Sequence, residues 1–102
     1  MNKVIRDGKV AVLYSRGYGA GWYSWHGVLE LVFDPTVVDM VERNTPYDDI
    51  EAYCESEWPD HYFGGACGLT IKWIPEGTQF LIEEYDGNES VSLLTDITLL
   101  TA

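Results

Sequence analysis

The chain has 102 residues, 46% of them hydrophobic and 14% aromatic, and a formal net charge of −11 at pH 7. This length allows a single domain, residues 1–102, with one hydrophobic core, and the composition excludes a disordered chain. The charge argues against direct DNA binding. No apolar run reaches the roughly 20 residues of a membrane-spanning helix, so we expect no membrane contact.

Charge is distributed unevenly along the chain. Residues 1–29 carry four cationic side chains and one aspartate, for a net charge of +3, whereas residues 34–60 carry nine acids and one arginine, for −8. The N-terminal residues MNKVIRDGK contain no apolar signal core, so we expect an intracellular protein.

The first 14 residues predict a β-hairpin. Asp7-Gly8 stands between two β-forming runs, and glycine accepts the positive φ that a two-residue turn requires. Apolar residues continue without interruption from Val10 to Tyr14, which predicts the second strand.

Two or three helices are predicted in the middle of the chain. The apolar run from Trp25 to Phe33 is typical of either a short buried helix or a strand, and we favour the helix. Asp34-Pro35 then begins a second helix as N-cap and first helical residue, and this helix ends near residues 43–44. The sequence Thr45-Pro46-Tyr47-Asp48 has the spacing of a capping box and predicts a third helix, which Pro59 ends.

The last third of the chain predicts strands at 69–73, 80–85 and 91–94, joined by short turns, with a final strand over Ile97, Leu99 and Leu100. Short connections imply antiparallel pairing. We therefore predict an α+β fold, in which an antiparallel sheet of the N-terminal hairpin and a C-terminal meander carries two to three central helices packed on one face. The apolar tail requires a neighbouring strand or a second chain to cover it, which predicts a homo-oligomer.

Residues 16–25 form the first candidate binding segment, a loop that interleaves glycines with aromatic residues. We expect the amides of Gly19 and Gly21, at the head of a helix, to receive an anion, with Arg16 adding positive charge. Rings of the loop would stack on a base. The alternative is a rigid loop whose rings close the end of the sheet. The spacing does not match a phosphate-binding loop or a dinucleotide-binding fingerprint.

A second glycine–aromatic segment, residues 62–68, follows the predicted third helix. It is either a second wall of a binding site or a flexible loop that enters a strand. If the two segments meet in space, they form one pocket with Arg16 and Lys72 at its edge, and Tyr62 to Gly65 form the opposing wall. The predicted ligand-binding residues are Arg16, Tyr18, Gly19, Gly21, Trp22, Ser24, Trp25, Tyr62, Gly64 and Gly65.

Metal binding and catalysis have no supporting motif. His26, His61, Cys54 and Cys67 lack the paired spacing of zinc ligands, and a hairpin turn accounts for the acidic residues at 86–89 without calcium. No spacing selects a nucleophile and its base. We predict a non-enzymatic protein with no metal and no cofactor. Both cysteines are expected to be buried free thiols, and a disulfide between them would require an exported protein.

The acidic helix 46–58 is a second candidate binding surface. Its face is either a solubilising surface or an imitation of a phosphate track, presented to a basic protein partner. The residues that would contact this partner are Asp48, Asp49, Glu51, Glu55 and Glu57.

Three segments resemble small, largely uncharacterised proteins of tailed phages and prophages: KVAVLYSRGYGAGWYSW at 9–25, FDP at 33–35 and IPEGTQFLIEEYDGNES at 74–90. The resemblance implies an accessory protein of a bacterial virus that acts in the host cytoplasm, where such proteins often inhibit immunity. The first hypothesis is a binding protein that sequesters a small nucleotide signal. The second is an acidic inhibitor of a host nuclease or CRISPR complex, and the third is a structural or virion-assembly module.

Overall fold

The computed structural model describes residues 1–94 and begins with the hairpin that the sequence predicts. Strand β1 (Ile5–Arg6) turns through Asp7 and Gly8, whose φ angles of 51° and 77° are the positive values that the Asp-Gly pair favours, into β2 (Lys9–Ser15). Antiparallel to β2 runs β3 (Leu69–Pro75), in a register that pairs Lys9 with Pro75 and Ser15 with Leu69. Strand β2 is therefore the centre of a three-stranded sheet.

The remaining strands, β4 (Phe80–Tyr85) and β5 (Asn88–Leu93), form a separate antiparallel hairpin. The α+β class is confirmed, but within residues 1–94 the strands divide between two sheets, whereas a single sheet was predicted from the sequence. The reason lies in β2, because its continuous apolar run from Val10 to Leu13 requires cover on both faces. The hairpin supplies that second cover by stacking on the sheet.

Within residues 1–94, four helices lie between β2 and β3: α1 (Tyr23–His26), α2 (Glu30–Phe33), α3 (Pro35–Glu42) and α4 (Tyr47–Glu57). The single helix favoured for residues 25–33 is two one-turn helices, separated at Gly27, which adopts a left-handed φ of 72°. Asp34 caps α3 as predicted, since its carboxylate accepts a hydrogen bond from the amide of Val37 at 3.1 Å. The capping box at Thr45 is wrong, because α4 begins after Pro46 with no side-chain cap.

Helices α3 and α4 form a layer on one face of the β1–β2–β3 sheet and the β4–β5 hairpin forms a layer on the other, while α2 contributes side chains to the cores on both faces. One core cluster lies on the helix side and contains Ala11, Leu13 and Trp22; a second lies on the hairpin side and contains Val10, Val12 and other apolar side chains. A 3₁₀ helix (Gly64–Gly68) leads from the helical layer into β3.

Three sequence predictions concern membrane-spanning helices, the last strand and the oligomeric state. Within residues 1–94, no helix has the length and apolar character needed to cross a membrane. The final strand predicted over residues 97–100 lies outside the described residues, and the homo-oligomer stays a prediction.

Cys54 is buried and free, as predicted, and burial raises the pKa of its thiol to about 12. Cys67 is free but exposed, which corrects its prediction as a buried thiol.

Candidate functional site

The two glycine–aromatic segments meet, and they do so backbone against backbone. The hydroxyl of Ser15 donates to the carbonyl of Gly65 at 2.8 Å, and the amide of Arg16 donates to the carbonyl of Gly68 at 2.9 Å. A Cβ atom on Gly65 would collide with the carbonyl oxygen of Gly21, and one on Gly68 would collide with the amide of Gly17. Gly65 therefore serves close packing between the segments and does not form an open pocket wall, which corrects its predicted role.

An anion does lie at the head of α1, but it belongs to the protein. Glu89 is only 2% exposed, and its carboxylate accepts bonds from the amides of Ser15 and Ser24, both at 2.8 Å, and from the hydroxyl of Ser24 at 2.6 Å. The groups that bind this carboxylate are Ser15 and Ser24, and not the amides of Gly19 and Gly21 that were predicted to receive an anion. The corrected assignment is that Ser24 binds Glu89, and this contact ties α1 and the end of β2 to β5.

Other atoms of the loop are also engaged within the protein. The amide of Gly19 donates to the carbonyl of Asp86 at 2.6 Å, and Gly87 lies so close that a Cβ on it would meet the amides of Gly19 and Ala20. Gly21 is buried. The prediction that Gly19 and Gly21 form a phosphate cradle is thus wrong, because Gly19 contacts the turn of the β4–β5 hairpin and Gly21 is buried against Gly65.

Trp22 is a core residue. Its ring is fully buried, its Nε1 donates to the carbonyl of Leu31 at 2.9 Å, and it contacts His26 and Phe63 at centroid distances of 4.8 and 5.8 Å. The prediction that Trp22 stacks on a ligand is wrong, because the ring that fills the core has no face left for one. Nothing in the sequence distinguishes it from Trp25, three residues later.

Trp25 and Tyr62, here called the aromatic pair, lie at the surface with 44% and 60% of their area exposed. Their rings stack with centroids 6.3 Å apart and planes inclined by 30°. The indole Nε1 of Trp25 donates to Glu84 at 2.9 Å, and Glu84 also accepts from the amide of Gly87 at 2.8 Å. These two bonds lower the pKa of the Glu84 carboxyl. The aromatic pair is therefore exposed and held in place beside a carboxylate.

Two further predicted residues border this region. Tyr18 is 70% exposed and precedes Gly19, whose amide donates to the carbonyl of Asp86 in the hairpin turn, next to the exposed Tyr85. Gly64 leaves room for the ring of Tyr62, since a Cβ on it would collide with that ring. Gly64 therefore contributes by positioning Tyr62.

The acidic residues of α4 lie on the surface as predicted, and Glu51 alone among them is half-buried. Burial raises the pKa of the Glu51 carboxyl, and the neighbouring charges of Glu55 and Asp48 raise it further. Within residues 1–94 the ion pairs are Arg6–Glu42 and Arg43–Asp39, so no cation neutralises the carboxylates of α4 there. The helix presents unneutralised negative charge.

A cleft of about 340 Å³ lies between β2, β3 and β5, and we call it the Arg16–Lys72 cleft. The Nζ of Lys72 donates to the carbonyl of Val91 at 3.2 Å, which directs the ammonium to this cleft. Its lining residues include Tyr14, Arg16, Lys72, Asn88, Glu89 and Ser90.

The histidines belong to an aromatic cluster in the helical layer. His26 is 8% exposed, its Nδ1 accepts from the amide of Val28 at 2.9 Å, and its buried Nε2 has no partner within residues 1–94. Burial, and to a lesser degree the charge of His61, lower the pKa of His26 to about 4. Residues 1–94 contain no group of three or more side chains able to hold a metal ion.

Sequence reasoning missed the role of Glu89. The sequence pattern predicts a turn at Glu89, yet the alternation of β5 places this residue on the same face as the buried Val91. An acid at an inward strand position is the signal that identifies a buried carboxylate.

Comparison with family models, curated proteins and solved structures finds no match to this chain. The resemblance to phage proteins accordingly stays a prediction that rests on the three segments quoted above.

Proposed function

We propose that this protein is a non-enzymatic binding protein that recognises a basic surface of a partner protein. The observation that carries the proposal is the aromatic pair, exposed at the surface, in which Glu84 holds Trp25 and Tyr62 stacks on Trp25. Tryptophan and tyrosine anchor protein interfaces because they bury large area at low cost in conformational entropy. Rings that are already stacked lose still less freedom on binding.

Charge favours a basic partner. The protein carries a net charge of −11, and within residues 1–94 no ion pair neutralises the carboxylates of α4. Helix α4 ends at Glu57, five residues before Tyr62, so the chain leads from the acidic helix to the aromatic pair. Arginine and lysine side chains of a partner would pair with these carboxylates and lie over the rings.

The resemblance to phage proteins extends the proposal to a bacterial host cell. There, the partner is a basic host nuclease or a subunit of a CRISPR complex, and the protein acts in the host cytoplasm by covering the partner's nucleic-acid surface. The amide of Gly19 and the ring of Trp22 no longer support nucleotide capture, because both are engaged inside the protein. The virion-assembly role stays a prediction.

Affinity purification from bacterial extract, with the immobilised protein at low and high salt, tests the proposal. We expect basic proteins that bind the wild type at low salt and elute as salt rises, since screening weakens exposed charge pairs. Trp25→Ala combined with Tyr62→Ala should abolish their binding, and so should Asp49→Lys combined with Glu55→Lys. Glu76→Lys reverses an exposed charge in another turn and is the matched control. Equal retention by the wild type and the aromatic double variant would contradict the proposal.

A further inference from the structure

The Arg16–Lys72 cleft brings two cationic side chains together in a strongly acidic protein. The chain has six Lys and Arg residues against 17 Asp and Glu residues, and the two ion pairs within residues 1–94 use Arg6 and Arg43. Neither Arg16 nor Lys72 forms an ion pair in that part of the chain, although acidic side chains are nearly three times as numerous. Both cations line the same cleft.

One carboxylate also borders the cleft, and its hydrogen bonds are directed elsewhere. The oxygens of Glu89 accept three bonds from Ser15 and Ser24, and the side chain is 2% exposed. Glu89 therefore offsets part of the positive charge but offers no accessible oxygen that would repel an incoming anion at contact distance.

The other walls supply neutral recognition groups. Tyr14, half-buried at the end of β2, contributes an aromatic ring, while Asn88 and Ser90 of β5 contribute an amide and a hydroxyl. The volume of about 340 Å³ lies at the lower end of the range typical of small-molecule sites, roughly 300 to 1,000 Å³.

We propose that this cleft binds a small nucleotide through its phosphate group. The planar guanidinium of Arg16 takes the phosphate with two parallel bonds, and the ammonium of Lys72 adds a point charge held in place by Val91. The ring of Tyr14 contacts the base, and Asn88 and Ser90 bond to polar edges of the base or sugar. The cleft shares no residue with the aromatic pair, so nucleotide binding can be tested independently of the proposed protein partner.

Isothermal titration with AMP, cyclic di-AMP and adenosine tests this site. We expect saturable binding of at least one of the two phosphate-bearing probes and none of adenosine. Arg16→Ala and Lys72→Met should each weaken that binding about tenfold or more, which corresponds to about 1.4 kcal/mol. Lys9→Ala removes a cation from the far end of β2 and should change affinity less than twofold.

Circular dichroism of each variant verifies that it is folded, and Arg16, being exposed, is the variant least subject to misfolding. Failure of both phosphate-bearing probes to bind, equal binding of adenosine, or equal weakening by Lys9→Ala would each overturn the proposal. Loss of protein binding in the aromatic variants with nucleotide binding intact would leave it standing.

Discussion

Glu89 and Ser24, 65 positions apart in the sequence, are joined by two hydrogen bonds, at 2.8 Å from the amide and 2.6 Å from the hydroxyl of Ser24. With a third bond from the amide of Ser15, they join α1, the end of β2 and β5 at one buried carboxylate. A buried charge is costly unless donors surround it, and here three donors do.

Replacing this carboxylate should destabilise the protein. Glu89→Gln keeps the size of the side chain but loses the charge and turns one acceptor into a donor facing donors, so we expect a loss of about 2 kcal/mol in the free energy of unfolding. Urea denaturation measures it. Glu83→Gln is the control, since Glu83 accepts a bond from Ser92 at the surface, and its change should stay within about 0.5 kcal/mol. Equal stability of the two variants would contradict the structural role of Glu89.

The close contact between the glycine segments predicts different effects at two glycines. Gly65→Ala places a Cβ against the carbonyl of Gly21, and we expect a loss of about 2 kcal/mol, as in other overpacked cores. Gly17→Ala is the matched control, because its Cβ would lie 3.7 Å from the nearest atoms and its φ is outside the left-handed region. Thermal denaturation should show Gly17→Ala within about 0.5 kcal/mol of the wild type.

The two N-caps predicted from the sequence, Asp34 and Thr45, should differ in their contribution to stability. Asp34→Ala removes the acceptor for the amide of Val37 and for the hydroxyl of Tyr53, both at 3.1 Å, so we expect a loss of about 1 to 2 kcal/mol. Thr45→Ala should cost no more than about 0.5 kcal/mol, because Thr45 caps no helix. A large loss for Thr45→Ala would restore the capping box that the sequence predicts.

Burial of His26 predicts a dependence of stability on pH. The pKa of His26 is about 4 in the folded protein, below the ordinary value of 6.5, so the unfolded chain binds the proton more tightly. The stability due to neutral His26 is therefore complete above pH 6.5 and is lost as pH falls through 4.

NMR titration of the imidazole measures this pKa directly. His61→Gln should raise the pKa of His26 yet leave it below 6.5, because burial is the larger cause and the charge of His61 the smaller. An ordinary value for His26 in the wild type would show that its ring is accessible to water.

Local chemistry determined much of the fold. The turns at Asp7-Gly8 and Asp86-Gly87 adopt the positive φ values that their residues favour, and Asp34-Pro35 begins a helix as cap and first residue. Each of these features depends on residues a few positions apart. The alternation of apolar residues likewise predicts β3 to β5, and the α+β class follows.

Tertiary contacts decided how the strands divide between two sheets and which of the predicted site residues are buried inside the protein. A glycine can face a ligand or another backbone, and Gly65 faces Gly21 because of the segment that lies opposite it. For the same reason Trp22 is buried in the core while Trp25 is exposed at the surface. The sequence alone determined that the loop leads into a helix start, whose free amides attract an anion, since these features are local. Only the packing of β5 decided that the anion is Glu89, because that carboxylate arrives from 65 residues away.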